Sequence, residues 1–372
     1  MSPHRNQHLY HAGDLGVLTS SEHSQLLDSY LSGYLAGPVG TRAFPPYQLT
    51  LHTGHAEVAR AAAEFTQEPT ARIEPIPGVV LTARQTSAGL RCFTIDEDRL
   101  ENAPGAWAAS IRGTKIDLYV TDPPRSPRYV LRIIREVMIR SYENAGGILF
   151  HAAGLDIGGK AVMLCGSRGT GKTTTLAALL DFLGDRAALL SNDRLLALDD
   201  RQIIAVPLPV PVASGTIEAF PQLRAATSIA LRARPGEVPL GDLPREFGTA
   251  SKLAFPARVF AAAFHAGLIP GSRLATVIIP VLTDTSDPAA IRRLSPAAAA
   301  RAIAACCFTP HDEFWRPWLV SRTRTDHDLT DAAQLRCRQI ADAVPSFTVS
   351  CGIRAPLAGL QQALTQAIGA HS

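Results

Sequence analysis

The chain has 372 residues, 46% of them hydrophobic and 19% charged, which is enough apolar material for a large core and argues against disorder. A formal net charge of +3, with arginines scattered along the chain, lacks the concentrated basic stripe of a nucleic-acid binder. No apolar run of about 18 residues occurs, and the opening MSPHRNQHLYHAGDLG has no signal-peptide core, so the expectation is a cytoplasmic protein outside the membrane.

In chain order, residues 20–35 and 56–65 have helical spacing. The β-rich runs 79–83 and 90–95 flank a turn at Ser87-Ala88-Gly89. A second strand pair, 107–111 and 116–120, flanks Arg112-Gly113-Thr114. These elements predict a small α+β N-terminal domain over 1–128. The Pro-rich stretch 122–127 marks its end, and a helix over 129–144 leads into the second domain, 129–372.

That second domain opens with apolar strands at 148–153 and 161–165, a Gly-rich loop, a helix over 173–183 and a buried strand at 187–190. Strand, loop, helix and strand predict a βαβ unit with a parallel pair. Beyond it, 206–211 reads as irregular or edge-like, 232–248 as a loop or lid, and 277–281 as a core strand. Ser295 caps a helix that has Pro296 in its first turn, and a closing helix spans 357–368.

The six cysteines, Cys92, Cys165, Cys306, Cys307, Cys337 and Cys351, have no C-x-x-C spacing and no accompanying His cluster. They read as buried reduced thiols rather than a zinc site. His311-Asp312-Glu313 and Asp326-His327-Asp328 are contiguous runs without a spaced partner, and read as solvated loops.

The chemistry concentrates at Gly166-Ser167-Arg168-Gly169-Thr170-Gly171-Lys172-Thr173, which fits G-x-x-x-x-G-K-[ST] without a mismatch. Glycines let the backbone curl so that successive N–H groups face an anion, and a following helix adds its positive end. The expectation is a nucleoside triphosphate, ATP or GTP, cradled by residues 166–174, Thr174 included. Lys172 reaches the β- and γ-phosphates and the Thr173 hydroxyl binds Mg²⁺. Asp193, 21 residues after Lys172 at the end of an apolar strand, is a further Mg²⁺ ligand.

The flanks narrow the choice. His151 lies 15 residues ahead of Gly166 on the preceding strand, with the polar turn Gly158-Gly159-Lys160 between them. After the loop helix comes Leu189-Leu190-Ser191-Asn192-Asp193-Arg194, and later Ser251-Lys252-Leu253-Ala254-Phe255-Pro256. These segments, firmly over 149–196 and weakly to the C-terminus, resemble the catalytic domain of HPr kinase/phosphorylase, whose fold is related to that of phosphoenolpyruvate carboxykinase. The resemblance implies an α/β P-loop kinase domain that transfers the γ-phosphoryl group to a hydroxyl of a peptide, a protein serine or a small metabolite. It leaves a homo-oligomer open and gives the N-terminal domain a part in binding the acceptor. It also implies roles for His151 as base or orienter, for Lys252 as a cation on the transferring group, and for Glu218 as a further carboxylate near the metal.

One departure stands out. The family has an acidic pair where this chain has Asn192-Asp193, and the first member is its base; an amide takes no proton. His151 is then the first candidate for the base, since imidazole ordinarily titrates near neutrality. Two rivals remain, a nucleotide-binding regulatory module without phosphoryl transfer and an NTP hydrolase.

Overall fold

A computed structural model describes residues 6–40, 42–67, 70–94, 106–234, 236–312 and 314–369. The chain is mixed α/β and forms two compact units. One is Met1–Asn144 with His311–Thr323; the other is Ala145–Pro310 with Arg324–Ser372. Among the described residues no helix is long and apolar enough to cross a membrane.

The first unit carries strands β1 (Asn6–Ala12), β2 (Leu15–Ser21), β3 (Tyr47–Thr53), β4 (Ala71–Ile76), β5 (Val79–Thr86), β6 (Gly89–Thr94), β7 (Trp107–Arg112) and β8 (Lys115–Val120). Its helices are α1 (Ser24–Leu31), α2 (His55–Phe65) and α3 (Ser126–Asn144). The strands form one sheet in the order β1-β2-β3-β8-β7-β6-β5-β4. Strands β4 to β8 are an antiparallel meander, while β3 runs parallel to both β2 and β8. The helix expected over 20–35 shrinks to α1. Leu15, Val17 and Thr19 are buried at two-residue spacing, which makes the stretch before it a strand. Of the strand expected over 90–95, residue 95 lies outside the described residues.

The expected boundary at 128/129 falls inside α3, and the compact units part at Asn144 instead. Proline is compatible with a helix's first turn, so Pro127 starts α3 rather than ending a domain. The fully buried Glu136 carboxylate accepts from Trp315 Nε1 at 2.6 Å and from the backbone N–H groups of Trp318 (3.1 Å) and Leu319 (3.3 Å). Arg140 donates to Trp315 O at 3.0 Å. Arg322 donates to both oxygens of Glu143 at 3.2 and 3.3 Å. These bonds bind α3 and the 311–323 segment into one unit. Asp312, read as a solvated loop residue, is buried and accepts from Phe314 N at 2.9 Å.

The second unit begins with β9 (Ile148–Ile157), β10 (Lys160–Cys165), α4 (Lys172–Leu183), β11 (Ala187–Ser191), β12 (Arg194–Ala197) and β13 (Gln202–Ala205). Next come β14 (Val210–Val212), α5 (Ser214–Ala219), α6 (Pro221–Ala233), β15 (Leu253–Phe255), α7 (Ala257–Ala263), β16 (Gly267–Leu268) and β17 (Gly271–Thr283). It closes with β18 (Ala290–Arg293), α8 (Pro296–Ala304), α9 (Asp326–Ala343), β19 (Ser346–Gly352) and α10 (Leu357–Gly369). The main sheet runs β16-β11-β9-β12-β13-β17-β19-β18, with β10 paired to β9 and β17. The stretch expected to be edge-like contributes β14, which pairs with β15.

The βαβ expectation needs one correction. Strands β10 and β11 point the same way but are not neighbours: both are antiparallel to β9, which lies between them. Helix α4 therefore crosses over one strand. Phe150, Ala152, Met163 and Cys165 pack with Ile303 of α8 and Cys337 and Ile340 of α9. Alternation along β9 sends His151 to the other face. The Ser295 cap forms as expected, accepting from Ala298 N at 3.4 Å. Asp326-His327-Asp328, read as a loop, is instead the first turn of α9, closed by a Thr325–Asp328 capping box.

Candidate functional site

The Gly-rich loop leaves β10 at Cys165 and returns as α4. A Cβ at Gly166 would run into the Thr170 side chain, so only glycine lets the loop close on itself there. Thr170 Oγ1 donates to Ser167 O at 3.0 Å, and Thr170 O accepts from Leu282 N of β17 at 3.1 Å. Gly171, the N-cap of α4, has φ +95° and lies against Leu282. The tip, Ser167, Arg168 and Gly169, is exposed.

Lys172 is buried, with a relative exposure of 7%. Its ammonium donates to two carbonyls of its own loop, Gly166 O at 2.6 Å and Ser167 O at 3.1 Å. The same Nζ lies 3.1 Å from His151 Nε2, and that nitrogen lies 3.1 Å from Asp193 Oδ1. One ring nitrogen cannot at once accept from Lys172 and donate to Asp193, so these two contacts are alternatives. Asp193 Oδ2 accepts from Arg194 Nη1 at 2.8 Å.

Strand register explains the grouping. Arg194 on β12 lies directly opposite His151 on β9, and Ala152 N donates to Asp193 O at 3.1 Å. The Phe308 ring stacks on the His151 imidazole, with centroids 4.8 Å apart and an 11° interplanar angle. On the same ring sits the Arg194 guanidinium, 5.1 Å from the centroid.

Burial would raise the Asp193 carboxyl, but the His151 hydrogen bond and the Arg194 and Lys172 charges outweigh it and hold it below the usual carboxylate range. Burial pulls the Lys172 ammonium down, with Asp193 opposing. Lys252 is likewise lowered by burial first and then by the Arg168 charge, while Asp193 raises it. Lys252 directly precedes β15, so the β14–β15 pairing positions it, and its charge is felt at Lys172.

The other expected residues are arranged differently. Thr173 is half-buried in the first turn of α4, while Thr174 Oγ1 lies 2.8 Å from Thr216 Oγ1 of α5. Glu218 pairs with Arg245 at 3.2 Å. It lies two residues past Thr216, about 200° round the helix from the side facing α4. Nothing joins Glu218 to Asp193 among the described contacts. Asn192 is buried at 3% exposure, and its Oδ1 finds no hydrogen-bond partner among the described residues. Among the described residues no group of three or more His, Cys, Asp or Glu could hold a metal ion.

Two members of the cluster had no assigned role in the sequence. Arg194 adjoins Asp193, a signal available in hindsight; Phe308, 157 positions after His151, carries none. Compared with known proteins, the chain matches no family model and no curated sequence at a significant level.

Proposed function

We propose that the second unit is a P-loop kinase domain of HPr-kinase-like type, which transfers the γ-phosphoryl group of ATP or GTP to a hydroxyl of a peptide, protein or small metabolite. The observation that carries this reading is the enclosure of the Lys172 ammonium by the carbonyls of Gly166 and Ser167, with His151 beside it and Asp193 beyond. A buried cation whose hydrogen-bond acceptors are neutral carbonyls is one that phosphate oxygens replace favourably.

Each residue then has a task. The loop N–H groups and the first turn of α4 bind the β- and γ-phosphates. Lys172 exchanges its loop carbonyls for phosphate oxygens. That exchange frees the Nε2 lone pair of the Nδ1–H tautomer of His151, which takes the proton of the acceptor hydroxyl, and the imidazolium so formed pairs with Asp193. Lys252 and Arg168 offset charge on the transferring group. The donor set suits Mg²⁺: the Thr173 hydroxyl and the ionised Asp193 carboxylate are hard oxygen ligands, and bound Mg²⁺ would neutralise phosphate charge.

The test is incubation with γ-labelled ATP and Mg²⁺ against fractionated peptides and metabolites, wild type beside Lys172→Met. Label on an acceptor with wild type alone supports the kinase; label with both proteins refutes the role of the loop. Asn192 favours a second reading, a nucleotide-dependent regulatory module, because the residue is a buried amide where the family base stands. Tight ATP binding with neither transfer nor hydrolysis would support that module.

A further inference from the structure

We infer that Phe308, in contact with both the His151 imidazole and the Arg194 guanidinium, is a positioning residue that fixes the ring plane of His151 and so aims its Nε2 between Lys172 and Asp193. The inference rests on the kinase reading for its catalytic consequence, but its geometry stands on the contacts alone. His151, Asp193, Arg194 and Phe308 form a closed ring of interactions: imidazole to carboxylate at 3.1 Å, carboxylate to guanidinium at 2.8 Å, guanidinium over the phenyl at 5.1 Å, phenyl on imidazole at 4.8 Å. The first and last of these contacts bear on the imidazole. The carboxylate fixes one nitrogen along a line, and a stacked ring fixes the plane; together they leave the side chain a single orientation.

Phe308 is itself held firmly. Residues 306–309 lie along the edge of β9 that β12 leaves free. His151 N donates to Cys306 O at 2.7 Å, Phe308 N donates to Leu149 O at 2.8 Å, and Leu149 N donates to Thr309 Oγ1 at 2.9 Å. Phe150 and Cys307 are bridged antiparallel. The backbone that positions Phe308 is therefore bonded to the two residues flanking Phe150, one of which is His151. Phe308 is only half-buried, so its truncation leaves the core beneath α8 and α9 intact.

The experiment compares wild type, Phe308→Ala and Phe308→Tyr. The imidazole ¹⁵N shifts of His151 are read in nucleotide-free protein at one pH. Affinity for a fluorescent ATP analogue and transfer from γ-labelled ATP to the peptide and metabolite fractions are read alongside. Expected for Phe308→Ala are His151 ¹⁵N shifts that move towards those of a freely averaging imidazole. Nucleotide affinity should stay within about twofold, and turnover should fall between about tenfold and about 100-fold, the scale of a misplacement near 1 Å. Phe308→Tyr keeps the stack and restores both shifts and turnover. Unchanged ¹⁵N shifts in Phe308→Ala, unchanged turnover, or equal losses in affinity and turnover would overturn the inference. Should wild type itself transfer no phosphate, the kinase reading fails separately, and the ¹⁵N shifts alone decide the role of Phe308.

Discussion

Gly171→Ala tests the loop geometry most directly. Gly171 has φ +95° and ψ 15°, a left-handed conformation that costs an ordinary residue about 1–2 kcal/mol. A Cβ built there lies 2.8 Å from Leu282 Cβ and closer still to its Cγ and Cδ1. Leu282 is 6% exposed and its N–H is bonded to Thr170 O, so it has little room to retreat. Overpacking of this kind adds about 1–3 kcal/mol. The sum, about 2–5 kcal/mol, is a large share of a stability that is typically about 5–15 kcal/mol. Urea denaturation followed by circular dichroism should show that loss, and binding of a fluorescent ATP analogue should weaken with it. Leu282→Ala alone costs about 2–5 kcal/mol. In the double variant the Cγ and Cδ1 clashes are gone and only the 2.8 Å Cβ–Cβ approach remains, so its loss should fall short of the sum of the single losses by about 1–3 kcal/mol. Additivity to within about 0.5 kcal/mol would refute the close approach of loop and strand.

Lys172→Met keeps the buried aliphatic volume and removes the charge; transfer from labelled ATP should fall by at least about 100-fold, with the urea midpoint little changed, and full activity would remove the loop from the mechanism. The folded Asp193 carboxyl titrates below the unfolded value of about 3.9. Its contribution is therefore fully present above that pH and is lost as pH falls towards the folded pKa. Asp193→Asn should flatten the acid limb of the stability curve below about pH 4, and a limb identical to wild type would show that the His151 and Arg194 contacts do not hold the carboxylate. Glu136→Ala leaves Arg140 paired with Glu143 but unties the buried donors of Trp315, Trp318 and Leu319, so denaturation should report a loss of at least about 3 kcal/mol; a loss under about 1 kcal/mol would mean that 311–323 is anchored elsewhere.

What the sequence displayed and what it hid divide along one physical line. The loop, helix α4 and the Ser295 cap depend on residues within a few positions of each other, so contiguous text reveals them. His151 is singled out by the resemblance, whose spacing to Gly166 is local because a short hairpin joins β9 to β10. Partners joined by register carried no such signal. Arg194 faces His151 only because β12 pairs with β9, and Phe308 reaches the ring only because 306–309 takes the other edge of β9. The position of β9 between β10 and β11 is equally non-local, and so is the attachment of α3 to the 311–323 segment. The burial of Lys172 is also a product of the fold, which turns its ammonium back under the carbonyls of its own loop.

The burial of Lys172 bears on the amide at position 192. An ammonium pulled down by burial and held by neutral carbonyls is a cation kept at a cost, and a phosphate relieves that cost. On the proposed reading, the nucleotide is the partner of that charge. A loose phosphoryl transition state asks more of such charge than of a strong base. Asp193, held ionised between His151 and Arg194, keeps its carboxylate in the site, whereas Asn192 is buried, with its Oδ1 bonded to none of the described residues. An amide at a buried position carries no charge for the interior to penalise. On the proposed reading, phosphoryl transfer then depends on Lys172 and on the aim of His151 more than on residue 192.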